Sequence, residues 1–446
     1  MKIFLNLNLI LLILSIFPVI FSSIKGIITL PFEKRVSDLS NISPDDIISS
    51  GLQKNYLFTN IKIGTKPQTI PAKVDLFSYL FLVKGENEEK NNSALFQQSK
   101  SETFEILSNV TFSARGFTNG YKVSDYFSNN GNEKINISFI LVTETQENNQ
   151  CILGLRLNDT LKKDIVECNF IHQLKKNNII NDYYFTIKYS NETNGNLIIG
   201  DLLENYDKKY KNLEFKDTYV QNPDSEKSWN IKIDLFYTAF SQSSEKITFP
   251  GMIGYFKLDL GVTIGSENFR EDLLNYFMTK KIEEGICHEI INEYYYMYYC
   301  KKDVDLAEMK NLYFYNKDLN FTFEFKPKDL FYYNEKDGNL YYLIEFEKNV
   351  NNKNNRWLFG ETFFKKYDII FNQNKKKVGI YVGAKISENN NWFSEYKWYL
   401  ILIFALIIVL ACLVIISYKY LKTIYKRKKA NELTDDYDYT ININNA

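Results

Sequence analysis

Histidine is almost missing from this sequence, with only His172 and His288 among 446 residues. Ser-His-Asp catalysis and histidine-rich metal sites both depend on this residue, so its scarcity argues against either chemistry. Cys-x-x-Cys spacings are missing as well, and we expect no metal site. Acidic and basic residues balance at 54 each. A chain without net charge lacks the clustered basic surface of a nucleic-acid-binding protein, so we expect no nucleic-acid partner.

The amino terminus has the three parts of a secretory signal peptide. Lys2 supplies the positive charge, Ile3 to Phe21 form an apolar stretch, and Ser22 or Ser23 offers a small residue for cleavage. We therefore predict a signal peptide over residues 1–23. An uncleaved signal anchor is the weaker alternative, because a better membrane span lies near the other end of the chain.

That span is Trp398 to Tyr418, 21 residues without a charge, which is long enough to cross the hydrocarbon core of a membrane. Aromatic residues stand at both of its ends, and a basic cluster follows it, which predicts a cytoplasmic carboxyl-terminal side. A buried core helix is the alternative, but core helices of this length usually keep a polar face. We predict a stalk over 386–397, a transmembrane helix over 398–418 and a cytoplasmic tail over 419–446. The basic cluster is Lys419, Lys422, Lys426, Arg427, Lys428 and Lys429.

Acceptor sequons for N-linked glycans all lie before this span. An asparagine-rich chain produces such sequons by chance, so their placement agrees with a lumenal location of the preceding residues without establishing it. We expect a single-pass type I protein of the secretory or endolysosomal pathway or the cell surface. The sequons begin at Asn41, Asn91, Asn109, Asn136, Asn158, Asn191 and Asn320.

The five cysteines fit an oxidising compartment. Cys412 lies inside the predicted span, and the other four, Cys151, Cys168, Cys287 and Cys300, form an even set that suits two disulfides. The count alone leaves their connectivity open.

Short apolar runs with period-two alternation recur from about Gly26 onward, separated by breaks rich in Asn, Gly and Asp. This pattern predicts an all-β chain. Asn194-Gly195 and Asp337-Gly338 are hairpin signals. Only Phe269 to Phe277 and Phe170 to Lys175 have helical periodicity.

Two of these runs are YLFTNIKIGTKPQTIPAKVDLFSYLFLV, near the start of the β-rich part, and WLFGETFFKKYDIIFNQNKKKVGIYV, near its end. The first resembles "Y-x-x-x-I-x-I-G-T-P-P-Q…V-D-T-G-S-S-x-L-W-V" and the second "W-I-L-G-D-x-F-L-R-x-Y-Y-x-V-F-D…I-G-F-A", two motifs of the pepsin-like eukaryotic aspartic proteases, and further runs between them follow the order of that family. The resemblance covers about Gly26 to Val382. It implies a bilobal pepsin-like fold, with an N-terminal lobe over 24–215 and a C-terminal lobe over 216–385. It also implies a disulfide between Cys287 and Cys300, and we expect Cys151 to pair with Cys168.

The sequence contains the strand-turn-strand pattern twice. Asp75 and Asp259 each follow an apolar run and precede another, and Leu153-Gly154 and Phe359-Gly360 close each copy. The implied catalytic pair is Asp75 with Asp259, one from each lobe, facing the cleft between them. Two carboxylates that share one proton activate a water and polarise a peptide carbonyl. This chemistry needs no metal or cofactor, and its partner is a polypeptide substrate or ligand in the interlobe cleft.

Both copies depart from the family motif D-T/S-G-S/T. The first reads Asp75-Leu76-Phe77-Ser78 and the second Asp259-Leu260-Gly261-Val262. Leu76 and Leu260 replace the two threonines that join the loops, and such a paired change can be nearly neutral. Phe77 replaces a glycine where backbones approach closely. Ser78 keeps the hydroxyl that supports the carboxylate, whereas its second counterpart, Val262, has lost it.

The motif departures leave two functions open. One is a membrane-anchored aspartic endopeptidase, favoured by the two aspartates. The other is a catalytically inactive pepsin-fold binding module of the lumen or cell surface, favoured by the changes at Phe77 and Val262. The flap tyrosine of the family has only Phe117 or Tyr121 as a nearby aromatic, and Leu82 stands where a tryptophan is usual.

Overall fold

The computed structural model describes residues 26–35, 56–86, 95–114, 117–129, 133–142, 151–157, 167–222, 227–240, 247–249, 251–335, 337–348, 356–384, 406 and 413–427. The predicted alternating runs fold as strands because alternate side chains of each run are buried, as in β2 with its buried Leu57, Ile61 and Ile63. The strands are β1 (Ile28–Arg35), β2 (Tyr56–Ile63), β3 (Gln68–Asp75), β4 (Phe81–Lys84), β5 (Glu105–Ala114), β6 (Phe117–Asn129), β7 (Glu133–Val142), β8 (Cys151–Gly154), β9 (Tyr184–Tyr189), β10 (Asn194–Ile199), β11 (Leu213–Tyr219), β12 (Asn230–Ile233), β13 (Leu235–Ala239), β14 (Ile247–Phe249), β15 (Met252–Phe256), β16 (Thr263–Ser266), β17 (Cys287–Ile291), β18 (Tyr295–Lys301), β19 (Asn311–Asn316), β20 (Phe321–Phe325), β21 (Phe331–Asn334), β22 (Asn339–Tyr342), β23 (Ile344–Glu347), β24 (Arg356–Phe359), β25 (Ile370–Asn372) and β26 (Lys377–Ala384).

The helices of the described residues are short. The α-helices are α1 (Phe170–Lys176), α2 (Leu203–Tyr206), α3 (Arg270–Phe277), α4 (Thr279–Glu283) and α5 (Glu361–Lys366). Single 3₁₀ turns occur at Gln98–Lys100, Lys208–Tyr210, Glu267–Phe269, Leu306–Glu308 and Pro327–Asp329. Residues 413–427 are helical as well.

Three sheets organise these strands. A thirteen-stranded sheet has the order β11-β26-β25-β9-β10-β1-β2-β3-β8-β4-β7-β6-β5. A sheet of nine strands runs β12-β15-β24-β16-β23-β18-β22-β21, with β17 paired to β18, and β14-β13-β19-β20 form the third. The large sheet contains the last two strands, β25 and β26, beside β9 and β11, so both halves of the chain contribute to it.

A buried aromatic cluster joins the two halves beneath this shared sheet. The Phe371 ring stacks on Phe185 at 4.9 Å between centroids, and it meets the rings of Trp229 at 4.9 Å and Phe256 at 5.5 Å. The Trp229 indole donates a hydrogen bond to the Leu155 carbonyl at 2.8 Å. Aromatic contacts of this kind add to the stabilisation from burial, and here they hold the halves at a fixed distance.

The predicted local elements are confirmed with small shifts. The helix expected over 170–175 is α1, and the one expected over 269–277 is a 3₁₀ turn that continues into α3. Asp337-Gly338 lies in the β21–β22 hairpin turn, where Gly338 has a φ of 72°. The β9–β10 hairpin forms too, but Asn194 and Gly195 already belong to β10. Its turn precedes them because the Asn191 side chain accepts hydrogen bonds from the backbone N–H groups of Thr193 and Asn194.

The chain divides into two compact units, residues 1–384 and 385–446. The predicted lobe boundary at 215/216 falls inside β11, because this strand continues its pairing with β26 to Tyr219. The predicted signal peptide, the stalk and most of the predicted span and tail lie outside the described residues. No helix within the described ranges is both long enough and apolar enough to cross a membrane.

The predicted disulfide between Cys287 and Cys300 is present, joining two directly opposed residues of β17 and β18. The predicted pairing of Cys151 with Cys168 is wrong, since both are buried free thiols. Cys151 packs in the main core, whereas Cys168 packs in a separate cluster with Ile152. Successive strand residues point to opposite faces, so the two thiols lie on opposite sides of β8. Burial raises the pKa of Cys151 to about 11 and that of Cys168 to about 12, and both stay protonated.

Replacing both Cys287 and Cys300 with Ser should lower the free energy of unfolding by about 3 kcal/mol, because the bridge restricts the unfolded chain. Urea titration of the oxidised protein measures this loss. A reductant should reproduce the loss in the wild type and should not change the variant. A wild type whose unfolding midpoint is insensitive to the reductant would contradict the prediction.

Candidate active site

The first half of the chain builds a strand-turn-strand unit around Asp75, here called the first frame: β3, the turn 76–80, β4 and the central strand β8. β3 runs parallel to β8, with Val74 opposite Leu153 and Asp75 opposite Gly154. β4 runs antiparallel to the same strand, with Leu82 opposite Ile152. All four residues of β8 are buried. The turn that carries Asp75 is therefore fixed from both sides by one buried strand.

Hydrogen bonds within the first frame hold the Asp75 carboxylate in place. The side chain is only 3 % exposed, and its Oδ1 accepts a hydrogen bond from the Phe77 backbone N–H at 3.0 Å. Ser78 was expected to support this carboxylate. Its hydroxyl instead contacts the backbone of Leu80, donating to the carbonyl at 3.4 Å and accepting from the N–H at 3.3 Å. The Arg156 guanidinium donates to the Phe77 carbonyl at 3.2 Å.

The second half builds a matching unit, here called the second frame: β15, the turn 257–262, β16 and the central strand β24. β15 runs parallel to β24, with Phe256 opposite Phe359. β16 runs antiparallel to β24, with Ile264 opposite Leu358. The Lys257 backbone N–H donates to the Phe359 carbonyl at 2.9 Å, so Lys257 continues the ladder into the first position of the turn.

The pairings align the two frames residue by residue. In the first frame, Val74 pairs with Leu153 of β8 and Leu82, eight residues later, pairs with Ile152. In the second frame, Phe256 pairs with Phe359 of β24 and Ile264, also eight residues later, pairs with Leu358. The residue that follows Val74 is Asp75, and the residue that follows Phe256 is Lys257. The strand register therefore gives Asp75 the counterpart Lys257.

Close contacts at two glycines give the same alignment independently. A Cβ on Gly154 would lie 2.5 Å from the Ser78 carbonyl oxygen and 2.4 Å from that of Leu80. A Cβ on Gly360 would lie 2.6 Å from the Leu260 oxygen and 2.1 Å from that of Val262. In each frame, the glycine at the end of the central strand lies against two turn carbonyls that are two residues apart. The first of these carbonyls belongs to Ser78 in one frame and to Leu260 in the other, so these two residues correspond.

The sequence motif predicts Asp259 as the counterpart of Asp75. The strand register instead gives Lys257, which lies two residues before Asp259. Asp259 corresponds to Phe77 and is half-buried in the turn after Lys257. Leu76 corresponds to Leu258, and both are buried in the main core. Leu260 and Gly261, the other residues expected to support the pair, correspond to Ser78 and Tyr79. The Asp75–Asp259 pairing stays a prediction.

A cation–π contact links the two turns across the halves. The Lys257 ammonium nitrogen lies 3.5 Å from the centroid of the Phe77 ring. A cation over an aromatic face is attracted by the ring quadrupole. The Phe77 ring therefore has the Lys257 side chain against its face, and the two residues form one contact between the halves.

A long hairpin of β5 and β6 stands beside the first frame, with Ala114 opposite Phe117 near its tip. Tyr121 lies further down, opposite Asn109, and it packs partly buried against the core. The side chain of Phe117 lies outside the described side chains, so the flap aromatic stays a prediction.

The polar groups around a cavity elsewhere in the described fold pair with other side chains. A cavity of about 330 Å³ lies near β11 and β26, lined in part by Tyr210, Lys366 and Asp368. The Tyr210 hydroxyl donates to Asp368, and Lys366 pairs with Asp329, so these polar groups serve the fold. In the described ranges, no group of three or more His, Cys, Asp or Glu residues could hold a metal ion.

The Phe77–Lys257 contact should appear as a coupling of about 1 kcal/mol in a double-mutant cycle. Phe77→Leu and Lys257→Met each remove one partner while keeping an apolar side chain. Urea unfolding of the wild type, the single variants and the double variant measures the coupling. Strictly additive losses would contradict a direct interaction.

Comparison with known families gives the frames a context. Residues 55–382 match the family model described as eukaryotic aspartyl protease. No curated protein matches the chain. The matched region contains both frames and the aromatic cluster between the halves. Since it covers well over half of the sequence, the chain belongs to the pepsin-like eukaryotic aspartyl proteases.

Proposed function

We propose that this protein is a catalytically inactive member of its family that binds an extended polypeptide between the two halves. The observation that carries the proposal is the strand register, which gives Asp75 a lysine as its counterpart. Peptide hydrolysis by this family's chemistry needs a carboxylate from each half. The aligned position of the second half supplies an ammonium group in place of the second carboxylate.

The exchange of a carboxylate for an ammonium removes the shared proton on which the reaction depends. Two neighbouring carboxylates cannot both ionise cheaply, so one stays protonated and can polarise the peptide carbonyl. Lysine carries a compact positive charge and offers no second carboxyl group. A site with lysine in that position therefore lacks the pair of carboxyl groups that activates the water and polarises the peptide carbonyl.

Active aspartic endopeptidase is the second candidate, and one observation favours it. Asp259 lies only two residues beyond Lys257, in the same turn, and is half-buried. In a dyad of Asp75 and Asp259, the Asp259 carboxylate would have to come within hydrogen-bond distance of Asp75. It would have to do so from the turn position that corresponds to Phe77. The two candidates predict opposite results in a peptidase assay.

The wild type should cleave no peptide in a mixed library from acid to neutral pH. A variant with Lys257→Asp, Asp259→Gly and Phe77→Gly restores D-x-G in both frames, and we expect it to gain pepstatin-sensitive cleavage. Adding Asp75→Asn to this variant should abolish the gain, which excludes a contaminating protease.

Cleavage by the wild type that is lost on Asp259→Asn would establish the endopeptidase instead. For the binding function, the probe is the same peptide library passed over the immobilised wild type. Retention that falls on Lys257→Glu is expected, and no retention of any peptide would contradict the proposed binding.

We further propose that the protein is anchored by the span Trp398 to Tyr418 with residues 24–397 in the lumen or outside the cell. The apolar segment, the basic cluster after it and the sequons confined to the preceding side support this orientation. A polypeptide partner would then meet the cleft in the lumen or at the cell surface.

Protease treatment of intact microsomal vesicles should remove only the tail beyond Tyr418, because the folded part is enclosed. An epitope on residue 446 should disappear, while an antibody against the disulfide hairpin around Cys287 should still detect a slightly shortened chain. Detergent provides the control, since it should expose both. Loss of the hairpin epitope without detergent would reverse the orientation.

A further inference from the structure

The β5 strand ends the thirteen-stranded sheet, and within the described residues it pairs only with β6. Residues 105–109 are all exposed, with Ile106 at 54 % and Leu107 at 44 %. Exposure of five successive residues means that both faces of the strand meet solvent here, since alternate residues point to opposite faces. This part of the hairpin extends from the body of the protein.

A free edge of this kind is a hazard, because its unpaired N–H and C=O groups can bind the edge of another chain. Bulges interrupt the register between Ile106 and Ser108 and again between Thr111 and Ala114, and bulges discourage pairing. Between them, residues 108–111 keep regular pairing with residues 119–122. The regular stretch is therefore the part of the edge that still needs protection.

Asn109 lies within this regular stretch, is exposed and begins the sequon Asn109-Val110-Thr111. The other sequon asparagines in the described ranges, Asn136, Asn191 and Asn320, are exposed too. Other asparagines of the described residues are almost completely buried, and none of these begins a sequon. The buried asparagines are Asn169, Asn230, Asn316 and Asn372. The sequons are thus compatible with a glycan at every described position.

We propose that Asn109 carries an N-linked glycan that covers the regular edge of β5 and keeps the chain from pairing edge to edge. The proposal rests on the lumenal location proposed above. The donor is an oligosaccharide on a lipid pyrophosphate. The Asn109 amide nitrogen bonds to the anomeric carbon of the sugar and gives up one proton. The bond from that carbon to the pyrophosphate oxygen breaks, and the lipid pyrophosphate leaves. No electron transfer is involved.

The first experiment asks whether the glycan exists, using the full chain expressed in a eukaryotic secretory host. Thr111→Ala destroys the sequon, and Thr111→Ser, which keeps it, is the matched control. Thr111→Ala should migrate one glycan step faster than wild type on a denaturing gel, and Thr111→Ser should not. An endoglycosidase should bring all three to one position. Identical migration of Thr111→Ala and wild type before digestion would overturn the proposal.

The second experiment tests the protective role by the size of the detergent-solubilised protein. Thr111→Ala should shift to dimers or larger species, while Thr193→Ala, which removes the sequon at Asn191, should lose a glycan and keep the wild-type size. Ser108→Lys added to Thr111→Ala should restore that size, because Ser108 is exposed in the regular stretch and a charge on an edge strand opposes pairing. Rescue by lysine separates edge pairing from misfolding. A glycan-free Thr111→Ala of wild-type size would overturn the protective role.

The two experiments also distinguish this proposal from the location on which it rests. If endoglycosidase shifts no variant and not the wild type, the chain does not reach the glycosylating compartment, and both proposals fail. If the wild type carries glycans and Asn109 does not, the lumenal location stands and only the inference about β5 fails.

Discussion

The close approach of one glycine to two carbonyl oxygens fixes each frame of this fold. At Gly154 and at Gly360 the central strand passes so near the turn that any Cβ would lie within 2.6 Å of an oxygen. Real side chains do not tolerate such distances, so the turn can take only one position relative to its strand. The strand register consequently decides which residue of the sequence enters each turn. Similarity of the local sequence to a motif does not decide it.

This constraint determines which charged residue enters each turn. The first frame brings a buried aspartate to the start of its turn, and the second frame brings a lysine to the same place. Phe77 would be hard to explain beside a second carboxylate, because its ring offers a negative face. Beside Lys257 it is a favourable neighbour at 3.5 Å. The Phe77 ring of one turn and the Lys257 side chain of the other are thus compatible neighbours across the two halves.

Much of the fold could be predicted from the sequence, because strand periodicity and hairpin signals are local. The hairpin at Asp337-Gly338 and the helix beginning at Phe170 formed where expected. The assignment of Asp259 as counterpart of Asp75 was a matter of register, and register is set by partners far along the chain, here Phe359 and Gly360. One sequence signal was available, because Gly154 and Gly360 both stand at the end of an apolar strand. Asp75 lies seven residues before Leu82 (82 − 75 = 7), and the residue at the same distance before Ile264 is Lys257 (264 − 257 = 7).

The same distinction explains the cysteines. Cys287 and Cys300 lie on two adjacent strands of one hairpin, and the family resemblance implied their pairing. Cys151 and Cys168 are at a similar separation, but a strand carries the first on one face while the second packs against the other. A short separation along the chain indicates that two cysteines are near each other. Whether they can form a disulfide also depends on the face of the sheet to which each side chain points, and that is set by the pairing of the whole sheet.

The order of the large sheet has a consequence for synthesis. β9 pairs on one side with β10, its neighbour in sequence, but on the other side with β25, whose residues come almost two hundred positions later. Phe371 of β25 also completes the aromatic cluster with Phe185 and Trp229. A nascent chain that has emerged only as far as β24 therefore leaves one edge of β9 without its partner strand and the aromatic cluster incomplete. The thirteen-stranded sheet is therefore complete only once the last strands have left the ribosome, because one edge of β9 waits for the end of the chain.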